Sequence, residues 1–231
     1  MAQHITLTAA DGHELDAWRT DPAGTGTGAG KVRGGIVVLH AVFGRTTHMG
    51  DVCDQFAGAG YAAIAPSLYD RVGKNIVHPY DETGVEAGRK SYGALTPDQI
   101  LADTAAGRDA LGWAGPVAVS GFCTGGTWAW VAAATLDFDG AVIFYGSQVP
   151  AHLRRTPRCP TVHHYGDADH VVPLADIEKI RAANPDIPIH IYPGGKHAFF
   201  NPDQASYDAE IAALAFRRAV DFLADNMAGR V

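Results

Sequence analysis

Short apolar runs alternate with stretches of helical periodicity along most of this 231-residue chain. GGIVVLH from Gly34, YAAIAPSLY, PVAVSGF, GAVIFYG, PTVHHYG and IPIHIYPG each predict a buried strand. Brief, largely apolar runs of this kind suit strands covered on both faces. Ahead of them, HITLTA and HELDAWRT flank Asp11-Gly12, which predicts a β-hairpin because Gly supplies a positive φ. Helices are expected at His48–Ala59, from Thr96-Pro97 onward, and at Thr124–Thr135, Pro173–Ala183 and Asp203–Asn226. In the last of these, Ile211, Leu214, Val220 and Leu223 form an apolar face at three-to-four spacing. Asp70 to Leu95 reads as irregular and long enough to form a lid or pocket wall.

Alternating strands and helices predict one α/β domain over residues 1–231, a mostly parallel twisted sheet with helices on both faces and an N-terminal hairpin. The length allows one good core and is short for two domains. The glycine-rich stretch DPAGTGTGAG holds a loose dinucleotide-like match at Gly24, Gly26 and Ala29. It precedes a strand instead of following one, so it reads as a surface loop.

Composition narrows the function classes. The chain is 47% hydrophobic and 19% charged with a net charge of −7, which argues against nucleic acid as partner. No apolar stretch approaches the roughly 20 residues that span a bilayer. MAQHITLTAADGHE lacks a signal pattern, and three cysteines, Cys53, Cys123 and Cys159, are an odd number. A cytoplasmic protein with reduced thiols is the expectation.

In parallel sheets, ligands bind beyond the carboxyl ends of strands. Three reactive groups follow strand ends here: Cys123 after PVAVSG, Asp169 after PTVHHYG and His197 after IPIHIY. The order nucleophile, acid, histidine is that of α/β-hydrolases, and Gly121-Phe122-Cys123-Thr124-Gly125 matches their nucleophile turn with Cys for Ser. A thiolate at a helix N-terminus, a histidine to take its proton and a carboxylate to orient that histidine form a nucleophilic triad. The N–H groups of Thr124 and Val42 would supply an oxyanion hole.

GFCTGG, GDADHVVP and GKHAFF, together with LHAVFG and APSLYDR, resemble the dienelactone hydrolases from about Gly34 to the C-terminal helix. The resemblance implies an α/β-hydrolase fold, a Cys-His-Asp triad, no cofactor, and a small-molecule lactone or activated ester as substrate. Members with this activity open dienelactones to maleylacetate. It also places the acid at Asp169 instead of Asp167, which would organise its turn. Two positions depart from the family pattern. Ala41 stands where a glutamate helps to activate the thiol, and Asn201 where an arginine grips a carboxylate. A less acidic, more apolar ester or lactone therefore fits equally well, and thiol ionisation would rest on His197 alone.

His40, Phe43, Tyr69, Arg71, Arg89, Tyr145 and Phe199 are the pocket candidates, with Arg71 or Arg89 as possible anion binders. His40 could line the pocket, partly replace the glutamate, or be structural. His163, His164, Asp167, Asp169 and His170 are a dense cluster, but adjacent strand residues face opposite ways and no metal-ligand spacing appears, so no metal is expected. The rival to catalysis is a retained scaffold in which Cys123 is redox-responsive or binds a ligand.

Overall fold

The computed structural model describes residues 1–25 and 32–227. Gly26 and Ala29 of the loose glycine motif lie outside the described residues. All six apolar runs are strands: β3 (Gly34–Leu39), β4 (Tyr61–Pro66), β5 (Val117–Phe122), β6 (Gly140–Phe144), β7 (Thr161–Gly166) and β8 (Ile189–Tyr192). The hairpin forms as β1 (Gln3–Thr8) and β2 (Glu14–Thr20). Its turn closes through Gly12 N–H to Ala9 O at 2.8 Å, with Gly12 at φ 82°.

The eight strands form one sheet in the order β1-β2-β4-β3-β5-β6-β7-β8. β1 and β2 run antiparallel to each other and β2 antiparallel to β4, while β3 to β8 are mutually parallel. Every residue of β3, β4, β5, β6 and β7 is buried, which is why these strands read as unbroken runs instead of alternating ones.

α1 (Thr47–Gly58) and α6 (Ala209–Met227) cover one face, where Phe56 and Phe216 meet at 5.2 Å. α3 (Pro97–Ala110), α4 (Thr124–Thr135) and α5 (Leu174–Ala183) cover the other, as right-handed crossovers in this strand order require. α3 starts with a reciprocal capping box between Thr96 and Gln99. α6 begins six residues later than expected, because Asp208 Oδ1 caps Glu210 and Ile211 N–H at 3.1 and 3.0 Å. Leu223 of α6 is fully buried beside Gly140, so its truncation to Ala would cost about 2–5 kcal/mol.

The segment expected to be irregular holds a helix, α2 (Glu82–Gly93), preceded by a 3-10 turn at Leu68–Arg71. Asp81 caps α2 by accepting from Gly84 N–H at 2.8 Å. Three glycines lower its helix propensity, and tertiary contacts make up for them. Val85, Gly88 and Tyr92 face inward, within or against a small cluster with Val42, Phe43, Leu68, Tyr69, Leu95 and Ile100.

Several histidines sit in the core without full hydrogen bonding. His163 stacks on Tyr165 and tilts against Trp130, whereas His164 stacks on Phe144 and Tyr192 on the opposite face. Burial holds the pKa of His40 and His48 down to about 4 and that of His163 to about 3. These rings fold neutral, while the unfolded chain protonates them near pH 6.5. Between about pH 6.5 and 4 the unfolded state binds more protons, so stability rises with pH and is lost on acidification. The urea midpoint should fall steadily from pH 7 to pH 5, and His163→Phe should make that fall shallower.

Candidate active site

Cys123 sits between β5 and α4 with φ 55° and ψ −117°, a conformation that costs of order 1–3 kcal/mol in a non-glycine residue. The turn around it is too tight for side chains. A Cβ at Gly121 would lie 2.1 Å from Gly125 O, and one at Gly125 would lie 2.2 Å from Leu39 O. Backbone bonds hold the turn from both sides: Cys123 N–H donates to Phe144 O at 3.0 Å, and Ser147 N–H to Cys123 O at 3.2 Å. Cys123, partly buried, is thereby presented at the carboxyl border of the sheet.

Asp169 and His197 reach the same border from the ends of β7 and β8. His197 Nδ1 lies 2.8 Å from Asp169 Oδ2, and Asp169 Oδ1 accepts from Val171 and Val172 N–H at 2.7 and 2.9 Å. The carboxylate is completely shielded from solvent. Asp167 instead accepts from Gly194 N–H at 2.7 Å and ties the two loops together.

His197 Nε2 is buried and forms no completed hydrogen bond, yet it couples to Cys123. Burial alone would push the thiol pKa up. The His197 charge, with hydroxyls of Thr124 and Ser147, reverses this and brings it below the ordinary thiol value. Burial likewise opposes the imidazolium, but the thiolate and the Asp169 hydrogen bond raise the His197 pKa. The resting pair thus favours thiolate and imidazolium. Its ionisation does not depend on His197 alone, since two hydroxyls share the work; Ser147 carries no sequence signal for this role.

The loop after β3 lies against the turn. Neither Val42 nor Thr124 N–H donates to an acceptor among the described residues, and Thr124 is the first residue of α4, where N–H groups have no partner within the helix. Tyr69 fixes this loop: its hydroxyl lies 2.7 Å from Val42 O and 3.1 Å from Gly88 O. A Cβ at Gly88 would stand 2.0 Å from Val42 O, so glycine there lets α2 press on the loop. Tyr92 Oη donates to His40 O at 2.8 Å. Gly44 N–H bonds Ala41 O at 3.1 Å and completes the bend.

The pocket candidates separate. The Tyr69, Tyr92 and Tyr145 phenols all feel the Cys123 thiolate, and burial plus that charge raises each pKa. Tyr145 stands edge-on to His197 at 5.0 Å, and Phe43 packs on Tyr80 at 4.7 Å. Phe199 is fully buried behind Tyr145 and contacts Tyr192, so it backs the wall instead of facing a ligand. His40 is buried against Tyr69 and Tyr92 with Nδ1 2.8 Å from Ala41 O, a neutral ring that supplies no carboxylate-like charge. Arg71 does not offer itself to a ligand: Asp103 and Asp11 both hold it, at 2.7 Å each. Arg89 lies exposed on α2.

Sequence reading missed Tyr92, Tyr80 and Ser147. The Asp81-Glu82-Thr83 start of α2 was the available signal for the first. Among the described residues no group of three or more His, Cys, Asp or Glu gathers as a metal would need, and no helix is long and apolar enough to cross a membrane.

The model of the dienelactone hydrolase family matches residues 23–227. The chain belongs to the dienelactone hydrolase family. It is 30% identical to the carboxymethylenebutenolidase of Pseudomonas putida over 237 residues, covering 97% of each chain. A Klebsiella pneumoniae protein designated a dienelactone hydrolase has a solved structure with TM-score 0.81 and 26% identity, covering 97% of this chain and 98% of that one. Est1E from Butyrivibrio proteoclasticus shares the fold at TM-score 0.68 and 14% identity, covering 97% and 99% of the two chains. The family makes this chain an α/β-hydrolase-fold enzyme acting on esters or lactones.

Two substitutions test how the loop is held. Tyr69→Phe leaves two buried carbonyls without their donor and should cost about 1–3 kcal/mol in denaturant melts. Gly88→Ala should displace the Val42 loop, lowering ester turnover at least tenfold while iodoacetamide still alkylates Cys123 at near the parent rate.

Proposed function

We propose that this enzyme opens lactones or activated carboxylic esters through an acyl-enzyme on Cys123, with His197 as general acid and base and Asp169 as its orienting carboxylate. The observation that carries the reading is the 2.8 Å Asp169–His197 contact at the edge of a strained turn whose cysteine couples to the same imidazole. Asp169 keeps Nδ1 protonated, which leaves Nε2 to exchange a proton with sulfur.

In the first step the thiolate attacks the carbonyl carbon. The oxyanion takes hydrogen bonds from Thr124 and Val42 N–H, each worth roughly 3–4 kcal/mol in the transition state. The C–O bond then breaks, and Nε2–H delivers its proton to the departing oxygen. With a lactone, that oxygen stays tethered to the acyl chain, so the intermediate is a hydroxyacyl thioester. His197, now neutral, removes a proton from water; hydroxide attacks the thioester, and the thiolate leaves beside the restored imidazolium. Proton and electron count close without a cofactor.

The substrate is a small molecule, and the carboxyl border of the sheet, backed by the buried rings of Tyr69, Tyr92, Tyr145 and Phe43, is where it would bind. A depressed thiol pKa would suit a redox-responsive cysteine as well, but the histidine oriented by Asp169 beside it favours acyl transfer.

Mixing with p-nitrophenyl acetate should give a transient acetyl mass on Cys123, absent in Cys123→Ala. His197→Ala should lower kcat by about 10³-fold or more. Alkylation gives a separate check of the ion pair. In the parent, the rate should titrate below the ordinary thiol pKa near 8.5, and in His197→Ala the midpoint should move upward, slowing the reaction at pH 7 at least about tenfold. An unchanged profile in His197→Ala contradicts the pairing.

A further inference from the structure

We infer that the acyl group this site accepts is uncharged, a proposal that rests on the cysteine-hydrolase reading above and narrows its substrate class. A carboxylate carried by the substrate would meet an existing negative site. The thiolate and Asp169 together carry two negative charges against the single imidazolium of His197. The walls add no positive charge. Tyr69, Tyr92 and Tyr145 remain neutral phenols, and the nearby His40 ring is neutral as well.

Among the described residues, the cations on neighbouring elements are ion-paired, sealed from solvent or exposed in water. Arg71 is gripped by Asp11 and Asp103. Lys74 is paired with Asp70 at 2.8 Å, and Lys90 with Glu86 at 2.8 Å. Arg45, next to the Val42 loop, is folded beneath Trp18 with its guanidinium 4.6 Å from the ring. Its Nε and Nη1 are sealed from solvent and so cannot touch a ligand. Arg89 on α2 and Lys196 beside His197 are exposed and make no ion pair among the described residues. A contact made there in full solvent is weak.

The polar groups at the rim are neutral too. Thr46 Oγ1 and Tyr80 Oη meet at 2.8 Å, and Asn201 Oδ1 accepts from Asp203 N–H at 3.0 Å. Asn201 is a buried neutral amide at this rim. A buried carboxylate without a cation is costly, whereas an alkyl chain, ring or ester gains from aromatic walls.

The test is a matched pair of substrates: p-nitrophenyl valerate and the mono-p-nitrophenyl ester of glutaric acid. They have equal chain length and differ at the far end by a methyl group against a carboxylate. The parent should show kcat/KM at least about 30-fold higher for the neutral member, with the gap narrowing as salt screens the charged one. Equal or reversed preference overturns the proposal while leaving the hydrolase reading intact. A preference for the carboxylate that collapses in Arg89→Gln or Lys196→Gln overturns it too and names the anion's partner. Failure to turn over either ester, with no acyl mass on Cys123, removes the hydrolase reading and this proposal together.

Discussion

The close backbone approach at the Cys123 turn governs the rest of the site. Strand β5, helix α4 and the end of β3 pass one another at distances that leave no room for a Cβ at Gly121 or Gly125. That contact sets Cys123 at the N-terminus of α4 and brings the end of β3, which leads into the loop carrying Val42, alongside. Loss of it would separate the Cys123 sulfur, the proposed nucleophile, from the N–H groups of Thr124 and Val42 and from the imidazole, even with every reactive side chain still present. The positive φ of Cys123 is paid back by bonds to Phe144 and Ser147 on the neighbouring strand and the loop beyond it.

Electrostatics at the turn is a contest between burial and pairing. Burial opposes charge on both sulfur and imidazole, and each is charged because the other is near. Asp169, locked by two valine N–H groups, adds the fixed negative end of the chain. Thr124 and Ser147 hydroxyls lie close enough to help the thiolate, in a chain with alanine at position 41. Burial makes each of these interactions stronger than it would be at an open surface.

Helix α2 shows how a wall can escape notice in a sequence and still matter. Gly84, Gly88 and Gly93 look like helix breakers when read locally. In the fold, Gly84 clears Pro79 O just ahead of the helix, and Gly88 clears Val42 O, so Gly88 is the condition for α2 to lie flat against the loop. The benefit belongs to a partner more than 40 residues away, and no local pattern records it. Arg71 is a similar case. Its charge suggested an anion site, but Asp11 and Asp103, one far before it in the chain and one far after, already hold it.

Strand positions, the hairpin, the order of Cys123, Asp169 and His197 and the glycines around Cys123 were all legible along the chain. Each rests on local chemistry: runs of apolar residues for doubly covered strands, positive φ for glycine, and motif spacing for the turn. Distances between remote residues decided the remainder. These include the burial of Phe199 behind Tyr145, the neutral state of His40, the engagement of Arg71, and the pressing of α2 onto the Val42 loop. Such features depend on which groups meet across the sheet border, and a one-dimensional pattern carries no record of that until the chain has folded.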